Sequence, residues 1–298
     1  MAGQTVPMRE LAWNGIRLMI PPDWQPTVLR RDYLLLEARY QPALAVRWQE
    51  AGRGFDAGQI LKKLHRSLGR DGGGLSPWTV PDRWQNHLDR FGWHGFRWQG
   101  GGQAGTGLLL HCRRCARVTI LQFHGEAGEA EMILDSFQDH PGNAGQLVTV
   151  FDIRALLPSG ARLEGQEFLA GRFRISYRIG DHRVELLRFR PADAILHRQG
   201  LAGFAGQLAG TPMEDREKKK ENVFHWYREP TPVQRFVGRL RRKAAGRWLR
   251  LWHLADHNVI LGLQARSHRR LDHALLQQLC RDFTIRPLRG SRSENHAV

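Results

Sequence analysis

Short apolar runs ending on turn-forming residues recur along the chain, and the series in the first half returns in the same order in the second. Residues 16–21 and 153–158 are each an apolar run closed by proline, Pro21 or Pro158, which predicts a strand ended by a residue that cannot continue the ladder. β-rich runs at 33–37 and 43–48, and again at 173–177 and 184–189, are separated by short breaks and predict one hairpin in each half. A helical period follows at 55–68, where Ile60, Leu61, Leu64 and Leu68 share a face, and at 192–208, with Ile195, Leu196, Leu201, Phe204 and Leu208.

Each half then carries an aromatic run, Phe96-Arg97-Trp98 or Phe224-His225-Trp226, and a second hairpin, 108–111 with 118–121 or 249–253 with 259–262. A closing amphipathic helix is predicted at about 126–136 and about 269–281. The exits keep Phe and Pro at one spacing, Phe137 with Pro141 and Phe283 with Pro287. Five features in one order imply tandem duplication of a unit of about 140 residues, of α+β fold class, in which an antiparallel β-sheet is packed with α-helices. The expected division is repeat 1 at 9–141, a linker at 142–147, repeat 2 at 148–288 with a basic insertion at about 229–247, and a disordered tail at 289–298.

The element order, with Asp135-Ser136-Phe137 and Arg281-Asp282-Phe283 leading from each closing helix into a strand, resembles the PsbP-like fold shared with the Mog-type Ran-binding proteins. The resemblance covers most of both halves. It implies a small non-enzymatic accessory or binding protein that acts on a larger partner, and it carries no functional residue onto this chain.

Composition narrows the class. Of 298 residues, 41% are hydrophobic and 25% charged, so a globular core is expected rather than a disordered or membrane-embedded chain. The formal charge of +16 is uneven, with 17 basic against 14 acidic residues up to Gln146 and 28 against 15 after it. The second half therefore favours acidic partners, a protein surface or nucleic acid. Cys112, Cys115 and Cys280 are too few for a disulfide framework, and the N-terminal residues show no basic-then-apolar leader. A cytoplasmic protein without a transmembrane segment is the expectation.

From Pro230 to Ala255 the chain has no acid, yet it carries Arg235, Arg239, Arg241, Arg242, Lys243, Arg247 and Arg250. Phe236, Val237, Leu240 and Ala244 predict the apolar face of a basic helix there. Arginine forks suit carboxylate or phosphate, and Trp248 and Trp252 are placed to stack on single-stranded bases. The competing reading is a solvated basic helix, partly neutralised by Glu214, Asp215, Glu217 and Glu221. Peripheral contact with an anionic membrane is a third.

Cys112-Arg113-Arg114-Cys115 supplies two of the four ligands a structural zinc site needs. It falls at a hairpin tip beside His111, and the matching hairpin carries His253 and His257, so a metal shared between two tips is the arrangement to look for. The flanking arginines argue against it. Gly100 to Gly105 has dinucleotide-fingerprint spacing but lies between two strands, which predicts a hairpin turn. Gly200, Gly203, Gly206 and Gly210 predict close helix packing. Trp78 and Trp84, in a Pro-rich stretch, are either exposed anchors for a partner or caps on the sheet edge. No nucleophile elbow, zinc-protease or P-loop motif occurs. The sequence thus favours a non-catalytic binding protein acting through a protein partner, with nucleic-acid binding through Arg235 to Arg250 as the alternative and a metal protein or enzyme at the hairpin tips third.

Overall fold

A computed structural model of the chain describes residues 8–51, 54–70, 72–125, 127–140, 142, 145–210, 222–234 and 244–286. They fall into two compact units. In unit 1, β1 (Arg9–Trp13) and β2 (Ile16–Ile20) form a hairpin through Asn14 and Gly15, both at positive φ. The strands β3 (Trp24–Leu29), β4 (Tyr33–Ala38), β5 (Gln41–Glu50), β6 (Gly74–Pro77), β7 (Phe91–Gly100), β8 (Gln103–Cys112) and β9 (Arg117–His124) make one antiparallel sheet in the order β3-β4-β5-β9-β8-β7-β6. Between them lie α1 (Ala57–Gly69) and the single turn α2 (Asp82–Gln85), and α3 (Ala130–Ser136) follows β9.

Unit 2 repeats the arrangement. β11 (Ile153–Leu157) pairs with β18 (Thr284–Ile285). β12 (Arg162–Leu169), β13 (Arg172–Ile179), β14 (His182–Phe189), β15 (Val223–Arg228), β16 (Gly246–Leu254) and β17 (Val259–Ser267) are ordered β12-β13-β14-β17-β16-β15. Apart from the extra edge strand β6, this is the strand order of unit 1. Helices α4 (Ala192–Leu196) and α5 (Gly200–Ala209) follow β14, and α6 (His273–Asp282) follows β17.

The balanced α+β, PsbP-like organisation expected from element order is corrected by this count. Among the described residues eighteen strands face six α-helices, and only α1, α5 and α6 reach ten residues. The fold is predominantly antiparallel β. Two causes are visible in the chain. The helix expected over 192–208 is broken by Gly200 at φ +62°, leaving α4 and α5, and the helix expected from 126 begins only at Ala130. The strands meanwhile run longer than their apolar cores, because polar residues on the solvent face extend the ladders.

The expected linker also behaves differently. Gln146 opens β10 (Gln146–Val150), which pairs with β1, Ala12 opposite Thr149, and Leu147–Asp152 counts with unit 1. The 289–298 tail lies outside the described residues.

Each sheet buries one face under helices. In unit 1, Leu109 and Trp98 pack beneath α1 through Ile60, Leu61, Leu64 and Leu68, the face predicted by their spacing. In unit 2, Leu187, Phe189, Leu249 and Leu251 pack beneath Ala192, Leu201 and Phe204. The glycine run at 100–105 is a hairpin connection, with Gly101 (φ +58°) and Gly102 (φ +76°) joining the closing pair Gly100–Gln103. Both angles are ones a side chain resists.

Candidate functional site

Antiparallel register places one residue of each neighbouring strand directly opposite, with both side chains on the same face. In unit 2 this rule lines up six arginines. Arg162 is opposite Arg178, Arg178 opposite Arg183, Arg183 opposite Arg266, Arg266 opposite Arg247, and Arg247 opposite Arg228. One arginine comes from every strand of the sheet, and all six are exposed. At about 4.8 Å between strands the row is about 24 Å long. It shares its face with Leu187, Leu249 and Leu251, so one face is apolar where α4 and α5 cover it and cationic where they do not.

Carboxylates reach only part of this row. Glu164 accepts from Arg178 at 2.9 Å and lies 3.5 Å from Arg183, and Glu185 lies 3.7 Å from Arg183. Arg162, Arg228, Arg247 and Arg266 have no such partner among the described residues. Like charges directly opposite destabilise a sheet, and the fold does not demand them. The hairpin β4–β5 closes on Ala38–Gln41 as β13–β14 closes on Ile179–His182. The next rungs in unit 1 are Gln25, Glu37 and Pro42, where unit 2 has Arg162, Arg178 and Arg183.

Of the basic segment singled out from sequence, Arg247 is a rung of this row. Arg250 points to the opposite face and is half-buried. Trp248 is 1% exposed and packs against His225 at 5.0 Å between ring centroids, so it offers no stacking platform. Trp252 is half-buried, edge-on to Phe283. Arg235, Arg239, Arg241, Arg242 and Lys243 lie outside the described residues, in the connection between the last two rungs, Arg228 and Arg247. Trp84, read as either an exposed anchor or a cap on the sheet edge, is buried against Trp78 and Phe123, which removes the anchor reading for it.

A second cluster lies in unit 1. Alternation along β8 turns His111 toward α1, where it stacks on Phe55 at 4.1 Å, and turns Cys112 to the other face, 2% exposed. The turn to β9 closes with the Ala116 N–H donating to the Cys112 carbonyl and brings Cys115 back beside Cys112. The other side is set by the exit from α3. Gln138 exchanges backbone hydrogen bonds with Arg17 of β2, and the Arg117 guanidinium holds the Asp139 carbonyl. Asp139 and His140 are thereby delivered to the cysteine turn.

Cys112 Sγ lies 3.8 Å from His140 Nδ1, Cys115 Sγ lies 3.6 Å from Asp139 Oδ2, and His140 Nδ1 lies 2.8 Å from Asp139 Oδ1. All four donor atoms are within 4.8 Å of one another. Residue Cys115 is exposed, but its sulfur is turned toward the buried Asp139. Desolvation there, with the Cys112 thiol and the Asp139 carboxylate, pushes its pKa up to about 12 against the Arg117 backbone N–H. Sequence reading found the two cysteines and missed Asp139 and His140, which stood in the chain as part of the Phe137–Pro141 exit. His253 and His257 belong to unit 2, half-buried in β16 and exposed in the turn after it, and take no part in this cluster.

No protein-family model matches the chain, and no curated protein does. A chain in the solved complex structure of Pseudomonas aeruginosa MucA/MucB is 10% identical, covering 91% of this chain and 83% of that one, with a TM-score of 0.25. Likeness at that level carries no argument. No helix among the described residues is long and apolar enough to cross a membrane.

Proposed function

We propose that the chain is a non-catalytic binding protein that holds an acidic protein partner on the basic face of unit 2. The observation that carries this reading is the in-register row of six exposed arginines, four of them without a carboxylate partner among the described residues. Glu164 already shows the complementary chemistry, since one carboxylate serves two adjacent rungs, and a partner's Asp and Glu side chains repeat that pairing at Arg266, Arg247 and Arg228. A cytoplasmic setting suits the reading, because three cysteines, Cys112, Cys115 and Cys280, are too few for a disulfide framework.

Acid–base machinery is not part of this account. An open groove of about 480 Å³ beside β6 is lined by Leu75, Trp98 and Thr106 and holds Arg97 as its one titratable side chain. Such a lining supplies no proton donor and acceptor pair. Nucleic acid is the alternative polyanion, favoured by the five further cations at 235–243 and disfavoured by the burial of Trp248.

Fluorescence anisotropy with a labelled polyglutamate peptide, and with single-stranded and duplex oligonucleotides of equal charge, separates these partners. The expected result is micromolar peptide binding at about 0.1 M salt that is at least as tight as oligonucleotide binding. Clearly tighter binding of an oligonucleotide would transfer the site to nucleic acid. No binding of any probe would remove the proposal.

A further inference from the structure

We propose that Cys112, Cys115, Asp139 and His140 hold one zinc ion within unit 1, tying the β8–β9 turn to the exit from α3. The site is independent of the arginine row and of the partner it binds.

Zinc takes four tetrahedral ligands, and Zn–S of about 2.3 Å with Zn–N and Zn–O of about 2.0–2.1 Å puts donor atoms about 3.3–3.8 Å apart. The 3.6 and 3.8 Å separations between sulfur and its oxygen or nitrogen neighbour already have that size. The remaining separations are within 4.8 Å, so those donors close by up to about one ångström, while the 2.8 Å hydrogen bond of His140 to Asp139 Oδ1 is exchanged for metal bonds. Two thiolates with one imidazole select zinc over magnesium or calcium. The CxxC spacing on a tight turn sets both sulfurs on one side, facing Asp139 and His140.

The arginines around the turn fit the loaded site. Two thiolates and a carboxylate around Zn²⁺ leave one net negative charge, with both thiol protons released to solvent and His140 neutral. Arg113 and Arg114 are exposed on the turn, and Arg117 reaches the Asp139 carbonyl from beside it. These cations stabilise an anionic complex.

The full chain, purified under reducing conditions, stripped with chelator, loaded with zinc and dialysed, should retain one zinc per chain by elemental analysis. Cobalt(II) added instead should give the visible absorption of a tetrahedral site with a thiolate charge-transfer band. Replacing both Cys112→Ser and Cys115→Ser should abolish both signals, Asp139→Asn should weaken zinc binding at least about tenfold, and Cys280→Ser should leave them intact. Less than about a tenth of an equivalent on the unaltered chain would overturn the assignment, since a closed site of this kind binds far more tightly than dialysis can strip. Retention by the double cysteine variant would overturn it too, and an unchanged affinity in Asp139→Asn would remove the carboxylate from the ligand set.

Discussion

At the level of single residues, burial decides which of the chain's titratable groups influence folding. His124, at the end of β9, packs edge-on to Trp98 at 4.7 Å, and its Nδ1 is buried without a hydrogen-bond partner. Desolvation lowers its pKa below the ordinary value of 6.5. The folded state therefore prefers the neutral ring, and the unfolded chain binds the proton first as pH falls. His124 contributes full stability above about pH 6.5 and loses it as pH descends toward the folded-state pKa. Urea midpoints at pH 7.5 and pH 5 should fall more for the unaltered protein than for His124→Gln, and equal falls would deny the effect. Asp56 illustrates a different residue-scale contribution. Its carboxylate accepts from the Gln59 N–H at 3.0 Å and caps α1, so Asp56→Ala should cost about 0.5–2 kcal/mol in chemical denaturation.

What was legible at this scale followed sequence distance. Cys112 and Cys115 announce themselves because their partnership spans three positions. Asp139 and His140 join them through the backbone exchange of Gln138 with Arg17, more than a hundred residues apart, and the hold of Arg117 on the Asp139 carbonyl, contacts that no local pattern encodes. The anchor reading of Trp84 and the stacking reading of Trp248 fail for the converse reason, since indole rings beside turns and charges look exposed until the opposing elements are in place.

At the scale of elements, strand positions and hairpins were largely legible, because period-two burial and turn residues are local properties. Helix content was overestimated. Apolar spacing over 192–208 is helical, but Gly200 interrupts it, and the edge strands stand out poorly, β3 because Pro26 sits within it and β12 because half its residues are polar or charged. The arginine row was invisible for a geometric reason. Its members lie as far apart in sequence as Arg162 and Arg266, and only the register of five successive strand pairs brings them into line.

Two predictions belong to these elements. Leu251 in β16 is fully buried beneath α5, and Leu251→Ala should cost about 2–5 kcal/mol by urea denaturation. Arg247 and Arg266 stand directly opposite with no neutralising carboxylate among the described residues, so replacing either with Gln should raise stability by about 0.2–1 kcal/mol. A loss of stability in both Gln variants would mean that the rungs support the sheet.

For the molecule as a whole, two units share one strand order and carry different side-chain clusters on it. Unit 1 gathers thiols, a carboxylate and an imidazole where its second hairpin turns. Unit 2 replaces Gln25, Glu37 and Pro42 of the first copy with three of its six arginines. The excess of 28 basic over 15 acidic residues in the second half was plain from composition. Composition placed it in the segment around Arg239, whereas the sheet itself carries an ordered share of it.

The most direct test of this account is the affinity of the full-length protein for the labelled polyglutamate peptide after Arg228→Glu, Arg247→Glu and Arg266→Glu are combined. The row predicts at least a tenfold loss of affinity, about 1.4 kcal/mol or more, with the far-UV spectrum unchanged and the melting temperature equal or higher. Undiminished affinity in a folded triple variant would show that the arginine row is not the binding surface.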